Sequence, residues 1–326
     1  MRFGNRVVFA IALVLRLVPV SLHTESLHAV QQQRYCMGTM FDIVAYHASH
    51  EEAERAVAKA MDEIVRLDQV MSHFKADSDL SKLVRGGHGD GVPVEPSLFE
   101  VIQESLMFSR RSSGKFDVTI APLLKTWTSA RAEGREPSAD EIARARRCVG
   151  YQNIEPTAPN LIRLRSDCVE IDLGGIGKGY AVDRAIDVLK AAGIRHALIN
   201  AGSSSIASIG SPPDRQGWPV LLNARVTGHQ ILLLRDRSIS TSEQSPSGET
   251  LDPQTGAPTE STLTVSVVAP SATVSDALST TLLMLPLEEG RKLLAQFDGV
   301  SALWMTGAGE VKASYGESQL QLSGSR

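Results

Sequence analysis

The chain has 326 residues, of which 42% are hydrophobic and 21% are charged, with 26 glycines and 15 prolines. This composition supports a large buried core and excludes disordered, collagen-like and coiled-coil chains. The net charge of −4 gives no broad electrostatic attraction to nucleic acid or anionic lipid. Three cysteines, Cys36, Cys148 and Cys168, are too few for a disulfide scaffold, and no CxxC motif or Cys/His cluster indicates zinc.

The N-terminal sequence is typical of a targeting signal. Arg2 and Arg6 precede the run 7–20, which is apolar except for Arg16. This run is shorter than the ~20 residues that span a bilayer as a helix, so we expect a signal peptide over residues 1–29. The chain from residue 30 to residue 326 would then be an exported, periplasmic protein, in which a disulfide is permitted. The alternatives are an uncleaved N-terminus that associates the protein with the inner membrane, or a misassigned start codon.

The body of the chain interleaves helical and strand patterns, which favours a mixed α/β architecture. Apolar spacing and stop signals predict five helices, over Glu51–Phe74, Pro96–Ser109, Asp140–Cys148, Gly179–Ala192 and Val274–Leu285. Predicted strands are Val169–Asp172, Ala197–Asn200, Leu263–Val268 and Ala302–Thr306, with a hairpin of Trp218–Val226 and Gln230–Leu234 closed around Gly228.

A glycine-rich turn is the densest feature of the sequence. In Asp172-Leu173-Gly174-Gly175-Ile176-Gly177-Lys178-Gly179 a predicted strand ends and a helix begins. Glycines allow close backbone approach, and a helix N-terminus with a lysine beside it suits a phosphate group. The segment fits neither the Walker pattern nor GxGxxG. The competing interpretation is a tight turn with a solvated lysine.

A second candidate site lies on the Val274–Leu285 helix. Asp276 and Thr280 are four residues apart and therefore share one helix face, where they offer two hard oxygen ligands for magnesium or calcium. Thr273 and Asp276 also fit a capping-box pattern, which would make Asp276 only a residue of the helix start.

The sequence contains three weaker patterns. Leu251–Gly256 is a turn-forming string. The string 115–122 places Phe116 beside Asp117 and is either a contact for a planar ligand or a core strand. The histidines, His73 among them, form no local catalytic signature and are interpreted as surface or hydrogen-bonded residues.

Taken in order, these segments resemble the ApbE family, the FAD:protein FMN transferases. The resemblance covers residues 34–308 and rests on Met37-Gly38-Thr39, Met71-Ser72-His73-Phe74, Asp77-Ser78-Asp79-Leu80-Ser81, Ser113-Gly114-Lys115-Phe116-Asp117-Val118-Thr119 with Pro122 and Trp127, the glycine turn 172–183, Asn200-Ala201-Gly202, Leu251–Gly256, and Val268-Ala269-Pro270 with Asp276-Ala277 and Thr280. Each motif is weak alone, but their common order is specific.

The resemblance implies an ApbE-like mixed α+β fold, a compact unit of two packed subdomains with an FAD cleft between them. It implies an enzyme that transfers FMN from FAD to a Ser or Thr hydroxyl of an exported target protein and releases AMP, with Mg²⁺ as cofactor. By position, the metal ligands would be Asp276, Thr280 and the main-chain carbonyl of Gly175. The FAD-binding residues would be Met37, Phe74, Lys115, Phe116, Asp117, Asp172, Lys178 and Thr250.

The sequence departs from the family pattern on the acceptor side. Glu249 stands where the family usually has the histidine that activates the acceptor hydroxyl, the segment before it is short, and serines 203–205 replace the usual Gly-Gly pair and acid. Glu249 is therefore the candidate catalytic base, although a carboxylate is a weaker base than imidazole unless burial changes it. This departure keeps two alternatives open: an FAD pyrophosphatase that releases FMN and AMP, and a non-catalytic FAD-binding protein.

Overall fold

The computed structural model describes residues 26–222, 230–244, 250–316 and 322–324. Its α-helices are α1 (His50–Met71), α2 (Asp79–Gly86), α3 (Pro96–Arg111), α4 (Ala121–Ala132), α5 (Ala139–Arg146), α6 (Gly177–Ala191), α7 (Ala272–Leu283) and α8 (Leu287–Leu294), with 3₁₀ turns at Val118–Ile120 and Tyr151–Asn153. Its strands are β1 (His28–Cys36), β2 (Thr39–His47), β3 (Val92–Pro93), β4 (Ile154–Ala158), β5 (Leu161–Leu164), β6 (His196–Ala201), β7 (Ser205–Ile209), β8 (Trp218–Leu222), β9 (Gln230–Leu234), β10 (Ser238–Glu243), β11 (Leu263–Ala269), β12 (Ser301–Thr306), β13 (Val311–Tyr315) and β14 (Leu322–Gly324).

An eight-stranded antiparallel sheet organises the fold, in the order β1-β2-β6-β7-β10-β11-β12-β13. Two three-stranded sheets, β14-β9-β8 and β3-β5-β4, accompany it. Helices and a large sheet share one core, which confirms the predicted mixed α/β class.

The two faces of the large sheet pack against different partners. On β11, Val265 and Val267 belong to the main core with α1, α6 and α7, whereas Val268 points the other way and packs in a cluster with Trp218 and Val220 of β8. This alternation follows from the two-residue period of a strand. The small β8–β9 sheet therefore covers the face that the helices leave open.

Most predicted elements are confirmed within a few residues at each end. The helices predicted from apolar spacing correspond to α1, α3, α5, α6 and α7. The predicted hairpin is confirmed by the antiparallel pairing of β8 with β9, while its closure around Gly228 and the stretch up to Val226 lie outside the described residues. The N-terminal apolar run also lies outside them. Within the described ranges, no helix is both long and apolar enough to cross a bilayer.

Two strand interpretations are wrong. Val169–Asp172 belongs to no sheet, because the N–H of Asp172 donates to the Val118 carbonyl, 2.7 Å away, outside any ladder. The string 115–122 is not a core strand either. Asp117 caps the 3₁₀ turn Val118–Ile120, and α4 follows with Pro122 in its first turn, where a missing N–H costs nothing.

A disulfide joins Cys148 to Cys168, with their Cα atoms 5.3 Å apart. The bond ties the segment after α5 to the segment that leads into the glycine turn. Cys36 is a buried free thiol, and burial raises its pKa to about 11. This pairing, which the sequence left open, therefore restrains the segment that leads into the glycine turn.

Candidate active site

The glycine turn connects an unpaired extended segment to α6. Asp172 accepts a hydrogen bond from the Gly174 N–H through Oδ1, at 2.6 Å, which closes the start of the turn. The residue before α6, Ile176, provides no side-chain cap, so the first N–H groups of the helix need other acceptors. Gly179 must lack a side chain because a Cβ there would lie 2.3 Å from the Ala272 carbonyl oxygen. The N-termini of α6 and α7 can therefore meet at backbone distance.

Helices α6 and α7 cap each other. Asp276 of α7 accepts the Gly179 N–H through Oδ2 at 2.9 Å. Asp183 of α6 accepts the N–H groups of Ala272 and Thr273, at 2.7 and 2.8 Å. Each aspartate thus satisfies donors at the other helix's N-terminus, where negative charge is favourable. This exchange fixes the position of Asp276 relative to the glycine turn.

The structure overturns the interpretation of Asp276 as a cap of its own helix. The N-cap of α7 is Ser271, whose hydroxyl accepts the Val274 N–H at 3.2 Å, and Asp276 lies one turn further in. Asp276 is only 4% exposed. Burial raises the pKa of its carboxyl group, while the Lys178 charge and the Gly179 N–H act in the opposite direction. A buried carboxylate beside a lysine is typical of a functional site.

Thr280 lies one helical turn after Asp276 and meets the glycine turn. A Cβ placed on Gly175 would be 3.5 Å from Thr280 Oγ1 and 3.2 Å from Phe116 Cε2, so these three residues are in contact range. Thr280 Oγ1 also lies 3.4 Å from the Ser242 hydroxyl on β10. The predicted metal ligands are thus brought together by α7 and the glycine turn.

These residues open into one large cavity of about 1820 Å³. Ten of the predicted site residues line it: Phe74, Lys115, Phe116, Asp117, Asp172, Gly175, Lys178, Thr250, Asp276 and Thr280. Met37 is not among the lining residues; it lies in the β1–β2 turn with a φ of 50° and packs against the main core. Glu249 lies outside the described residues.

The residues that line the cavity differ in their exposure and in the contacts that they make. Phe74 is 87% exposed and its ring contacts the His73 ring in a tilted arrangement, with centroids 3.8 Å apart, so it can pack on a ligand ring. Phe116 is buried. Lys115 Nζ lies 2.7 Å from Asp252 Oδ2 in the turn string, which links that turn to the cavity wall. Thr250 joins the same wall and donates its N–H to Gln244 Oε1 at 3.3 Å.

Asp117 has a structural task. Its Oδ1 accepts the N–H and hydroxyl of Thr119, at 2.8 and 2.6 Å, and its Oδ2 accepts the Tyr151 N–H at 2.7 Å. Burial is the largest influence on this carboxyl group and raises its pKa, against these hydrogen bonds. These hydrogen bonds hold the loop in which Asp117 borders the cavity.

Lys178 faces the turn that it follows. Its Nζ donates to the Gly174 carbonyl at 3.2 Å and borders the cavity near Asp276. This geometry leaves an ammonium group where a phosphate at the α6 N-terminus would lie.

Sequence reasoning missed two parts of the cavity. His73 lines it, with Nδ1 3.6 Å from Asp172 Oδ2. Residues 219–222 of β8 line it as well. His73 could have been noticed as the neighbour of Phe74 in the same motif, whereas β8 gave no polar signal at all.

Comparison with known proteins identifies the family that the chain resembles. A profile of the ApbE family matches residues 37–304. A protein of Treponema pallidum called FAD:protein FMN transferase is 28% identical over 292 residues, covering 80% of this chain and 80% of its own. The Escherichia coli K12 protein of the same name is 24% identical over 262 residues, 74% of each chain.

Solved structures agree with this result. The apo form of the Pseudomonas stutzeri flavinyl transferase ApbE superposes with a TM-score of 0.77 at 26% identity, covering 92% of this chain and 95% of that one. The Vibrio cholerae flavin transferase ApbE gives 0.76 at 21% identity, covering 89% and 97%, and supports the fold alone.

Proposed function

Because the chain belongs to the ApbE family, we propose that it transfers FMN from FAD to a Ser or Thr hydroxyl of an exported protein, releases AMP and uses Mg²⁺. Family membership makes the chain a transferase that acts on flavin. The observation that carries the finer proposal is the meeting of Asp276 and Thr280 with Gly175 and Lys178 at one end of the cavity.

The donor set fits magnesium. A carboxylate, a hydroxyl and a main-chain carbonyl are hard oxygen ligands, and Asp276 and Thr280 present theirs from one helix face. The described part of the chain holds no group of three or more His, Cys, Asp or Glu that could bind a metal. An ion here would therefore complete its shell with water and phosphate oxygens, as Mg²⁺ commonly does. When bound, Mg²⁺ supplies charge neutralisation on the diphosphate.

The remaining groups would hold the substrate. Lys178 and the N-terminal N–H groups of α6 would bind diphosphate oxygens. The exposed ring of Phe74 would pack on one ring system of FAD. Gly175 lets Thr280 approach the turn without a side chain between them. These contacts would orient the phosphorus of the FMN half for in-line attack.

In the transfer step, FMN moves from AMP to the acceptor hydroxyl. The acceptor hydroxyl oxygen forms a bond to that phosphorus, the bond from the phosphorus to the bridging oxygen breaks, and AMP leaves with the bridging oxygen. The hydroxyl proton passes to Glu249, the residue at the position of the family histidine. Glu249 remains a prediction from the sequence.

Labelling in cells tests the proposal. The full chain and an Asp276→Asn variant are expressed in a strain lacking its own flavin transferase, and exported proteins are separated on denaturing gels. We expect a flavin-fluorescent protein band with the parent chain and none with the variant. Purified chain with FAD and Mg²⁺ is assayed for AMP in parallel. AMP without a labelled protein would indicate a pyrophosphatase, and FAD binding without either product would indicate a binding protein.

A further inference from the structure

Besides Asp276, Thr280 and the glycine turn, the cavity borders a strand, β8, that has one paired edge among the described residues. Pro219, Val220, Leu221 and Leu222 are successive residues of β8, and all four line it. Successive side chains of a strand point to opposite faces, so a cavity that borders all four is consistent with one that passes along the strand's edge. The backbone N–H and C=O groups of β8 lie at that edge.

Within the described ranges, that edge has no partner strand. β8 pairs with β9 alone, from Trp218 opposite Leu234 to Leu222 opposite Gln230, and it is the outer strand of its sheet. Pro219 agrees with this position, since proline within a sheet is confined to edges, strand starts and bulges. An open edge is a template for another extended chain.

The wall around this edge is apolar. Leu198, Ile206 and Ile239 of the large sheet line the same cavity, and they belong to or pack against the cluster that contains Val220 and Leu222. β8 itself contributes only apolar side chains to the cavity, whereas the charged lining residues, Lys178, Asp276 and Glu243 among them, lie on other elements. β8 is therefore suited to an uncharged segment.

The cavity has room for two occupants. Its volume of about 1820 Å³ exceeds the roughly 300–1,000 Å³ of pockets that hold one small molecule. Protein flavinylation needs a hydroxyl about 3–3.5 Å from the attacked phosphorus. A polypeptide must therefore enter the same space as FAD.

We propose that the β8 edge is the docking site of the acceptor protein. An extended, uncharged segment of the acceptor adds to β8 as a further strand, with main-chain hydrogen bonds to Leu221 and its neighbours, and so carries its Ser or Thr to the diphosphate. Strand addition at an open edge is an established mode of peptide recognition. The inference rests on the proposed FMN transfer and assigns its partner's site.

A pair of leucine substitutions tests this. Leu221 is 42% exposed on β8, and Leu287 is 37% exposed in the first turn of α8, outside the cavity. Leu221→Glu puts a charge into the docking wall, and Leu287→Glu is the matched control. The acceptor in this assay is the protein that becomes labelled in cells expressing the parent chain. We expect Leu221→Glu to raise the KM for this acceptor about tenfold or more, with FAD affinity unchanged. Leu221→Ala should raise it less, and Leu287→Glu should leave labelling unchanged.

Hydrogen exchange tests the backbone pairing. A synthetic peptide of about eight residues around the labelled Ser or Thr should slow amide exchange in residues 220–222. Protection of every one of these amides in the free protein would overturn the proposal, because the edge would already be covered.

The outcomes separate the two proposals. If the parent chain labels the acceptor and Leu221→Glu has the same acceptor KM, the docking site alone is overturned. If Leu221→Glu loses FAD affinity, the edge belongs to the FAD site instead. Absence of any labelled protein with the parent chain overturns FMN transfer, and the docking site with it.

Discussion

Around Asp276 and the glycine turn, the polar groups of the cavity wall are held by hydrogen bonds, whereas along β8 the wall consists of a strand edge and aliphatic side chains. Asp276 is fixed by the α6 N-terminus and Asp172 by the turn that it opens. Leu221 is held by β9 pairing and is otherwise open to the cavity. The difference matches the two substrates that we propose: a diphosphate of constant shape, and a polypeptide whose backbone is its constant feature.

The largest effect is expected from removing the Asp276 charge. Asp276→Asn keeps an oxygen acceptor for Gly179, so the fold should persist, but FMN transfer should fall about 10²–10³-fold because the proposed Mg²⁺ site loses its charged ligand, and the diphosphate loses the charge of the ion. Burial disfavours the ionised carboxyl group, so the melting temperature without metal should stay equal or rise.

Asp183→Asn is the matched control. It removes the charge of the reciprocal cap, which lies outside the large cavity, and should cost about 1 kcal/mol of stability while reducing transfer much less than Asp276→Asn does. If both variants lost transfer equally, the metal role of Asp276 would be wrong and the helix pair alone would matter.

Loss of the disulfide should destabilise the chain. Cys148 and Cys168 are 20 residues apart in sequence, so chain entropy predicts a stability loss of about 3 kcal/mol for the double Cys148→Ser/Cys168→Ser variant. In a denaturant titration, the reduced parent chain should have the same free energy of unfolding as this variant. A variant as stable as the oxidised parent would show that the loop holds its shape without the bond.

A smaller effect is expected at the acceptor side. Glu249→Gln removes the proposed base and should slow transfer about a hundredfold with FAD binding preserved. Glu260→Gln, at an exposed position outside the cavity, is the control. An unchanged transfer rate in Glu249→Gln would assign proton acceptance to another group.

The smallest effect concerns pH and the packing of α3 against α6. Burial raises the pKa of Glu104 to about 7, and the nearby charges of Glu100 and Asp183 add to the shift. The fold therefore favours protonated Glu104, and this contribution to stability is present below pH ~4.5 and is lost as the pH rises to about 7. Glu104→Gln should stabilise the chain at pH 8 by about 1–2 kcal/mol, allowing for its partial exposure.

Unfolding measured at pH 5 and pH 8 checks this prediction. The gain from Glu104→Gln should be near zero at the lower pH, and Glu260→Gln should show no such pH dependence. An equal gain at both values would contradict the shift.

The local elements around Asp276 could be predicted from the sequence. Glycines and apolar spacing located the turn and helices α6 and α7, because those signals act within a few residues. The partner of Asp276 was beyond reach, since the Thr273–Asp276 pattern is also typical of a cap and only tertiary packing brings Gly179 to it.

The acceptor side was harder still. An open edge depends on strand order, which Trp218–Leu222 does not encode by itself. The segment Val169–Asp172 alternates apolar and acidic residues, and this pattern predicts a strand although an extended segment outside any sheet can carry the same pattern. Its actual hydrogen bond, to Val118, joins residues far apart in sequence.

A crystal structure with FAD and Mn²⁺ in place of Mg²⁺ tests the central claim most directly. We predict an anomalous peak within coordination distance of an Asp276 carboxylate oxygen, Thr280 Oγ1 and the Gly175 carbonyl, beside the diphosphate. FAD bound in the cavity without a peak there, with Asp276 bonded only to the Gly179 N–H, would contradict it.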